Sequence, residues 1–195
     1  LRDFVNPVRV ARGVMENTPH VMLAGDGALE FARGQGFDEV SDPLNYYRLP
    51  VGVTSNDIQG TAHGTVGAVA LDTHGDLSAA TSTGGTFGTL PGRIGDTPLI
   101  GPGTWADDTL AISCTGTGEH IIRSGGATAI AFRYRSGVAL ADALKEMLDE
   151  FKRLGGDAGV IAVTSAAEIA MPYNSDGMKR AAVSTTAPLA VATFS

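Results

Sequence analysis

The chain has 195 residues, of which 43% are hydrophobic and 18% are charged. This composition fits a globular core and excludes a disordered chain, and the length fits one domain better than two. The formal net charge of −7, with no basic cluster, argues against a nucleic-acid partner. Apolar runs far below the roughly 20 residues of a membrane span argue against a membrane partner. The single cysteine, Cys114, cannot form an internal disulfide, so we expect a soluble, cytoplasmic protein.

The N-terminal third of the sequence is predicted to be helical. Asn6-Pro7 supplies an N-cap and a proline at the first helical position, where its missing N–H costs nothing. TPHVMLAG reads as a short strand or buried connector, and DGALEFARGQG as a second short helix. From about residue 40 to residue 64 the composition is that of a linker. The apolar face predicted for the first helix consists of Val8, Ala11, Val14 and Met15.

The pattern changes to strands after Gly64. Two runs of small apolar residues, 66–71 and 77–82, flank DTHGD, which suits a tight hairpin. TLAISC is predicted as a third strand, 121–134 as one helix and 138–154 as an amphipathic helix. AGVIAVT, EIAMPYN and PLAVATF are predicted to close the chain as strands. This order of elements predicts one α/β or α+β layered domain.

The familiar signatures of nucleotide, metal and serine-hydrolase sites are missing from the sequence. It has no GxxxxGK[ST], no HExxH or cysteine pair, and no GxSxG. His120 beside Glu119 is interpreted as a surface pair, His63 as part of the linker, and Cys114 as a buried core thiol. The segment from 81 to 118 is rich in glycine and threonine. Its length and composition fit a functional loop and a purely structural one equally well.

Thr65 remains as a candidate nucleophile. A threonine hydroxyl needs a base, and the free α-amino group of the same residue supplies one, with an ordinary pKa of about 7.7–8.0. This reading requires cleavage of the Gly64–Thr65 bond, and Gly64 leaves its carbonyl unshielded for attack by the hydroxyl. The alternative from the residues alone is that Thr65 simply opens a strand, as β-branched residues often do.

Five motifs in register resemble one family. GTVGAVALD, ATSTGG, LPGRIGDTPLIGPG, SCTGTGE and MPYNSDGMKR, in that order, closely resemble the plant-type asparaginase/isoaspartyl peptidase family of N-terminal-nucleophile hydrolases. The resemblance covers residues 65 to 179 and extends back weakly through VMENTPHVMLAGDGALEFARGQG. It implies a four-layer αββα sandwich with 1–64 as the end of the α subunit plus linker and 65–195 as the β subunit, here without the usual N-terminal strands.

The resemblance also implies a role for each matching residue. Autoproteolysis between Gly64 and Thr65 would expose the nucleophile Thr65, and Thr83 would hydrogen-bond its hydroxyl. Arg93 would bind the α-carboxylate of the substrate and Asp96 its α-ammonium, with Gly118 against the same amino group. The hydroxyl of Thr115 and the N–H of Gly116 would form the oxyanion hole. The substrates implied are L-asparagine and β-aspartyl (isoaspartyl) peptides.

Two alternatives stay open beside this reading. TWADD is similar to the glycosylasparaginases, which gives a related amidase as one alternative, although STGG and CTGTGE favour the plant-type branch. A truncated paralogue that never matures is the other. The resemblance further implies a homo-oligomer of αβ units with no catalytic cofactor or metal. A structural sodium ion occurs in relatives, but its loop has no counterpart in this sequence.

Overall fold

The computed structural model describes residues 1–46, 64–86 and 88–194. The chain divides into two compact units, Leu1–Gly60 and Thr61–Ser195. Most of the predicted linker, with His63, lies outside the described residues. The prediction of a single domain over 1–195, divided at Gly64, stays a prediction. In the described part of the chain, no helix is long and apolar enough to cross a membrane.

The described residues of the first unit, 1–46, form three helices. The buried face of α1 differs from the predicted one, since Val8 and Met15 are exposed and Val10, Gly13 and Val14 are buried. The ring of Phe37 packs against α1 at Gly13, where a Cβ would stand 2.8 Å from the ring. The lack of a side chain at Gly13 therefore shifts the buried face of the helix. The helices are α1 (Pro7–Asn17), α2 (Gly25–Gly34) and α3 (Pro43–Tyr46).

Two sequence predictions for this unit were wrong. The segment predicted as a strand or buried connector, TPHVMLAG, forms no strand, and its Val21 and Met22 are exposed. The predicted linker contains α3, a single helical turn that begins at a proline, where a helix loses no hydrogen bond. In both segments the apolar residues are too few to give a period from which the sequence could be read.

The second unit begins with the predicted hairpin. Strands β1 (Val66–Leu71) and β2 (Leu77–Ser82) pair antiparallel, with Val66 opposite Ser82. The Asp72 carboxylate closes the turn by accepting hydrogen bonds from the backbone N–H groups of His74 and Asp76. Gly75 has a φ of 91°, a left-handed conformation that favours glycine.

A four-stranded antiparallel sheet forms the centre of this unit. Strand β4 (Leu110–Gly116) confirms the prediction from TLAISC, and β5 (Ala158–Thr164) confirms the prediction from AGVIAVT. β3 was missed because three residues carry no readable period. The predicted strand EIAMPYN gives only the two-residue β6 (Ile169–Ala170). The predicted strand PLAVATF contains β8 (Ala190–Ala192), which pairs in a separate hairpin with β7 (Arg180–Ala182), a strand that was not predicted. The sheet order is β3 (Thr104–Ala106), β4 (Leu110–Gly116), β5 (Ala158–Thr164), β6 (Ile169–Ala170); the second hairpin is β7 (Arg180–Ala182) and β8 (Ala190–Ala192).

Three helices pack on the sheet, where the sequence predicted two. The predicted helix 121–134 is divided into α4 (Gly118–Ser124) and α5 (Gly126–Arg135), and α6 (Leu140–Arg153) matches the predicted amphipathic helix. Gly125, with a φ of 78°, ends α4 in the left-handed conformation typical of helix C-termini. Gly126 then lies so close to the Pro102 carbonyl that a side chain there would overlap it.

The hairpin and the helices lie on opposite faces of the sheet. Ile112 and Cys114 belong to the core cluster shared with the helices, whereas Ser113 contacts Thr81 of the hairpin. Because successive residues of a strand point to opposite faces, β4 is covered on both sides. The unit is therefore a layered α/β structure, as predicted; the complete four-layer sandwich stays a prediction.

The core between the sheet and the helices is expected to dominate the stability of this unit. Phe151 on α6 is 1% exposed, so Phe151→Ala should lower the free energy of unfolding by about 3–5 kcal/mol. Phe132 on α5 is 65% exposed, so Phe132→Ala should change it by less than about 0.5 kcal/mol. Urea denaturation of both variants measures the difference. Equal losses would contradict this assignment of the core.

Candidate active site

Thr65 and Thr83 lie together at the open end of the first hairpin. Thr65 directly precedes β1 and Thr83 directly follows β2, so the register places them opposite each other. The Thr65 hydroxyl donates to Thr83 Oγ1 at 3.2 Å, and the backbone N–H of Gly85 donates to the same oxygen at 3.0 Å. Both threonines are half-buried. Gly64, before them, is exposed, with open space where a side chain would stand.

Arg93, Asp96 and Gly118 form a second group. A Cβ on Gly118 would stand 2.7 Å from Asp96 Oδ1 and 2.9 Å from Arg93 Nη2. Gly118 itself is buried and begins α4. The structure therefore brings together the three residues that the sequence assigned to substrate binding, and a larger residue than glycine would fill the space where they meet.

Glu119 holds the guanidinium of Arg93. Its two carboxylate oxygens accept from Nε and Nη2, each at 2.8 Å. The Arg93 side chain is 17% exposed, and the hydrogen bonds from Arg93 lower the pKa of Glu119 to about 2. Glu119 is exposed, as the interpretation of a surface pair requires, but its hydrogen-bond partner is Arg93 and not His120. The ring of His120 lies against Gly156 instead.

Asp96 is a buried carboxylate with an unsatisfied oxygen. It is 6% exposed, and its Oδ2 has no hydrogen-bond partner among the residues that the structure describes. Burial raises the pKa of Asp96, against the lowering effects of its own backbone N–H, the charge of Arg93 and the backbone N–H of Thr97. A buried carboxylate without a full set of partners is costly.

Thr115 and Gly116 end strand β4. They pair with Gly159 and Ala158 of β5, and Gly116 has a φ of 138°. A side chain at Gly116 would overlap the Asp157 carbonyl. One residue, Thr117, separates them from Gly118, so the proposed oxyanion donors directly precede the Arg93–Asp96 group along the chain. Cys114, next to them, points into the core: it is 1% exposed and burial raises the pKa of its thiol, which confirms the predicted core cysteine.

A metal site has no support in these side chains. Within 1–46, 64–86 and 88–194, no three or more histidine, cysteine, aspartate or glutamate side chains group in a way that suits a metal ion. The charged residues that do meet, Arg93, Asp96 and Glu119, are a cation between two carboxylates. This arrangement suits recognition of a small charged molecule.

The family model for asparaginases matches residues 1–192. This chain belongs to the asparaginase family. It is 44% identical over 194 residues to the isoaspartyl peptidase of Escherichia coli (strain K12), an alignment that covers 90% of this chain and 60% of that protein. It is 38% identical to the isoaspartyl peptidase/L-asparaginase of Bos taurus, covering 93% and 63%. A probable isoaspartyl peptidase/L-asparaginase 2 of Arabidopsis thaliana is 37% identical, covering 90% and 64%.

The chain thus spans about 60% of the length of the curated relatives that it matches. The family membership confirms the resemblance drawn from the five motifs. The roles assigned to the two threonines and to the Arg93–Asp96–Gly118 group stay predictions. The role of Glu119 was missed, although its position inside the quoted motif SCTGTGE, directly after Gly118, was a signal that could have drawn attention to it.

The pKa of Glu119 gives a direct test of its pairing with Arg93. Because the folded pKa, about 2, lies below the ordinary 4.5, the pair stabilises the fold above pH 4.5 and loses this contribution as the pH falls towards 2. A carboxyl-detected NMR titration should therefore show Glu119 still ionised at pH 3. In Arg93→Ala its midpoint should return towards 4.5. A midpoint near 4.5 in the unsubstituted protein would contradict the pairing.

Proposed function

We propose that this chain carries the active site of an autoproteolytically activated amidohydrolase. It would cleave the side-chain amide of L-asparagine and the isoaspartyl bond of β-aspartyl peptides through a β-aspartyl ester of Thr65. One observation carries the proposal: Oδ1 of buried Asp96 and the guanidinium of Arg93 both lie beside Gly118, and the second carboxylate oxygen, Oδ2, has no hydrogen-bond partner among the described residues. A free α-amino acid head group, with one ammonium and one carboxylate, is complementary to this pair.

Arg93 has the capacity to bind a carboxylate while Glu119 stays in place. A guanidinium has five N–H donors, and Glu119 accepts two of them, which leaves three for a substrate. Glu119 also fixes the plane of the guanidinium, so less conformational entropy is lost when a second carboxylate binds. Asp96 supplies the matching anion for the α-ammonium. Recognition of both groups would make the aspartyl part of the substrate the determinant of specificity and leave the amine side unconstrained.

The chemistry starts at Thr65. After cleavage of the Gly64–Thr65 bond, the free α-amino group of Thr65 accepts the proton of its own hydroxyl as Oγ1 attacks the side-chain carbonyl. Thr83 already bonds this hydroxyl and holds its oxygen in one orientation. The proton then passes to the departing nitrogen, which leaves as ammonia or an amine. Water hydrolyses the ester, with the same amine as base, and regenerates Thr65.

The negative oxygen formed in both steps needs donors. In the proposal these are the Thr115 hydroxyl and the Gly116 N–H at the end of β4. Loss of one such donor typically lowers kcat by about 10²–10³. All steps use groups of this chain, so they require no cofactor. We extend the proposal to the oligomer of αβ units and the cytoplasmic location expected from the sequence, which rest on the family resemblance and composition.

Maturation of the chain tests the proposed nucleophile. The full chain, incubated after purification, should give two fragments by intact-mass spectrometry that meet at Gly64 and Thr65, and should release ammonia from L-asparagine. Thr65→Ala should abolish both, because it removes the attacking hydroxyl. Thr73→Ala, in the exposed turn at the other end of the same hairpin, is the matched control and should retain both.

The outcomes separate the alternatives. A chain that stays intact and inactive would support the non-maturing paralogue. Ammonia release by Thr65→Ala would rule out Thr65 as the nucleophile. Activity confined to glycosylated asparagine would support the glycosylasparaginase-type alternative.

Substitution of Arg93 tests the proposed carboxylate site. Arg93→Lys keeps the positive charge but loses the planar fork and the two bonds to Glu119, so KM for a β-aspartyl dipeptide should rise at least about tenfold. Arg135→Lys, whose guanidinium lies 3.7 Å from Asp107, is the control and should leave KM unchanged. Steady-state kinetics measures both. An unchanged KM in Arg93→Lys would show that Arg93 does not bind the substrate.

A further inference from the structure

Three hydroxyl groups connect the first hairpin to the central sheet. Thr81 Oγ1 of β2 lies 2.5 Å from Thr104 Oγ1, at the start of β3, and 2.8 Å from Ser113 Oγ of β4. Ser113 is buried and both threonines are half-buried. We call Thr81, Thr104 and Ser113 the hydroxyl cluster. The proposed reaction does not use the hydroxyl cluster.

Thr81 is the centre of this cluster. A hydroxyl carries one hydrogen and two acceptor lone pairs, so Thr81 accepts from at least one of its two neighbours. Both bonds are lost if the Thr81 hydroxyl is removed. Thr104 and Ser113 are paired across β3 and β4, so the sheet holds the two partners of Thr81 in fixed positions.

The cluster also fixes how closely the hairpin approaches the sheet. Gly67 of β1 is paired with Thr81 of β2. A Cβ at Gly67 would overlap Ser113 Oγ and stand 2.9 Å from Ser113 Cβ. The hairpin thus contacts Ser113 through both of its strands: Thr81 by a hydrogen bond, Gly67 by the lack of a side chain.

Strands β1, β2 and β4 each carry a residue of the proposed active site two positions from the residue that makes this contact. Thr65 precedes Gly67 by two, Thr83 follows Thr81 by two, and Thr115 follows Ser113 by two. Side chains two apart along a strand point to the same face. The Thr65–Thr83 hydrogen bond is therefore the next rung after the Gly67–Thr81 pair on the face that the cluster holds against the sheet.

We propose that the hydroxyl cluster is a positioning device for the nucleophile. It holds the β1–β2 hairpin at one height and register on β4 and so places Thr65 relative to Thr115 and Gly116. The inference rests on the proposed function. In this proposal Thr81, Thr104 and Ser113 touch neither the substrate nor the reacting atoms, so they are positioning residues. A displacement of about 1 Å at a reacting atom lowers the rate by about 10²-fold, so the loss of the two hydrogen bonds that hold the hairpin on the sheet matters for catalysis.

The test compares Thr81→Val with Thr81→Ser in the full chain. Valine keeps the shape but removes the hydroxyl, so we expect kcat to fall about 10- to 10²-fold and autocleavage to slow, with KM unchanged, because Arg93 and Asp96 are unaffected. Serine keeps the hydroxyl and should restore most of kcat. Ser184→Ala removes another hydroxyl pair, with Thr186, between β7 and β8, and should change neither parameter.

The possible results separate the two proposals. An unsubstituted chain that neither cleaves nor releases ammonia overturns the proposed function itself. An active chain in which Thr81→Val lowers Tm but retains kcat and the cleavage rate overturns only the positioning role. A rise in KM equal to the fall in kcat also overturns it. If Thr81→Val does not fold, Ser113→Ala, which removes one of the two bonds, is judged by the same split between kcat and KM.

Discussion

Strand β4 is covered on both faces, and the second unit depends on this constraint. Ile112 and Cys114 point into the core with the helices, and Ser113 points to the β1–β2 hairpin. The strand ends at Thr115 and Gly116, and α4 starts at Gly118. The hydrophobic burial that holds β4 against the helices thus also fixes the position of the proposed oxyanion donors. A site on a strand that is packed on both sides is held rigidly, as preorganised catalysis requires.

The charged part of the site follows a different physical logic. Asp96 is buried at a cost, as its raised pKa shows, and Arg93 is held by Glu119 before any ligand is present. A carboxylate with an unpartnered oxygen is costly to bury, and in the proposed function the zwitterionic head group of the substrate would offset that cost. Burial of the apolar core around α6 stabilises the unit against this cost.

Regular elements were predictable where the sequence repeats a local rule. The β1–β2 hairpin, β4, β5 and α6 have enough residues to show a period of two or 3.6, and their predicted positions were confirmed within a few residues. The failures have specific causes. One predicted helix is two because Gly125 adopts a left-handed conformation, and the buried face of α1 is set by Phe37 fitting against Gly13. Strands β3 and β7, at three residues each, exist only through their partners.

The sequence by itself determined the family, the two groups of proposed site residues and most of the long elements, because motif order and hydrophobic periodicity are properties of the chain. Only the tertiary structure decided that Glu119 binds Arg93, that Asp96 keeps an unpartnered oxygen and that Thr81 joins Thr104 to Ser113. These contacts join residues 23 to 32 positions apart, or depend on what surrounds a buried atom. Such contacts depend on how strands and helices pack together, and no local pattern in the sequence encodes that packing.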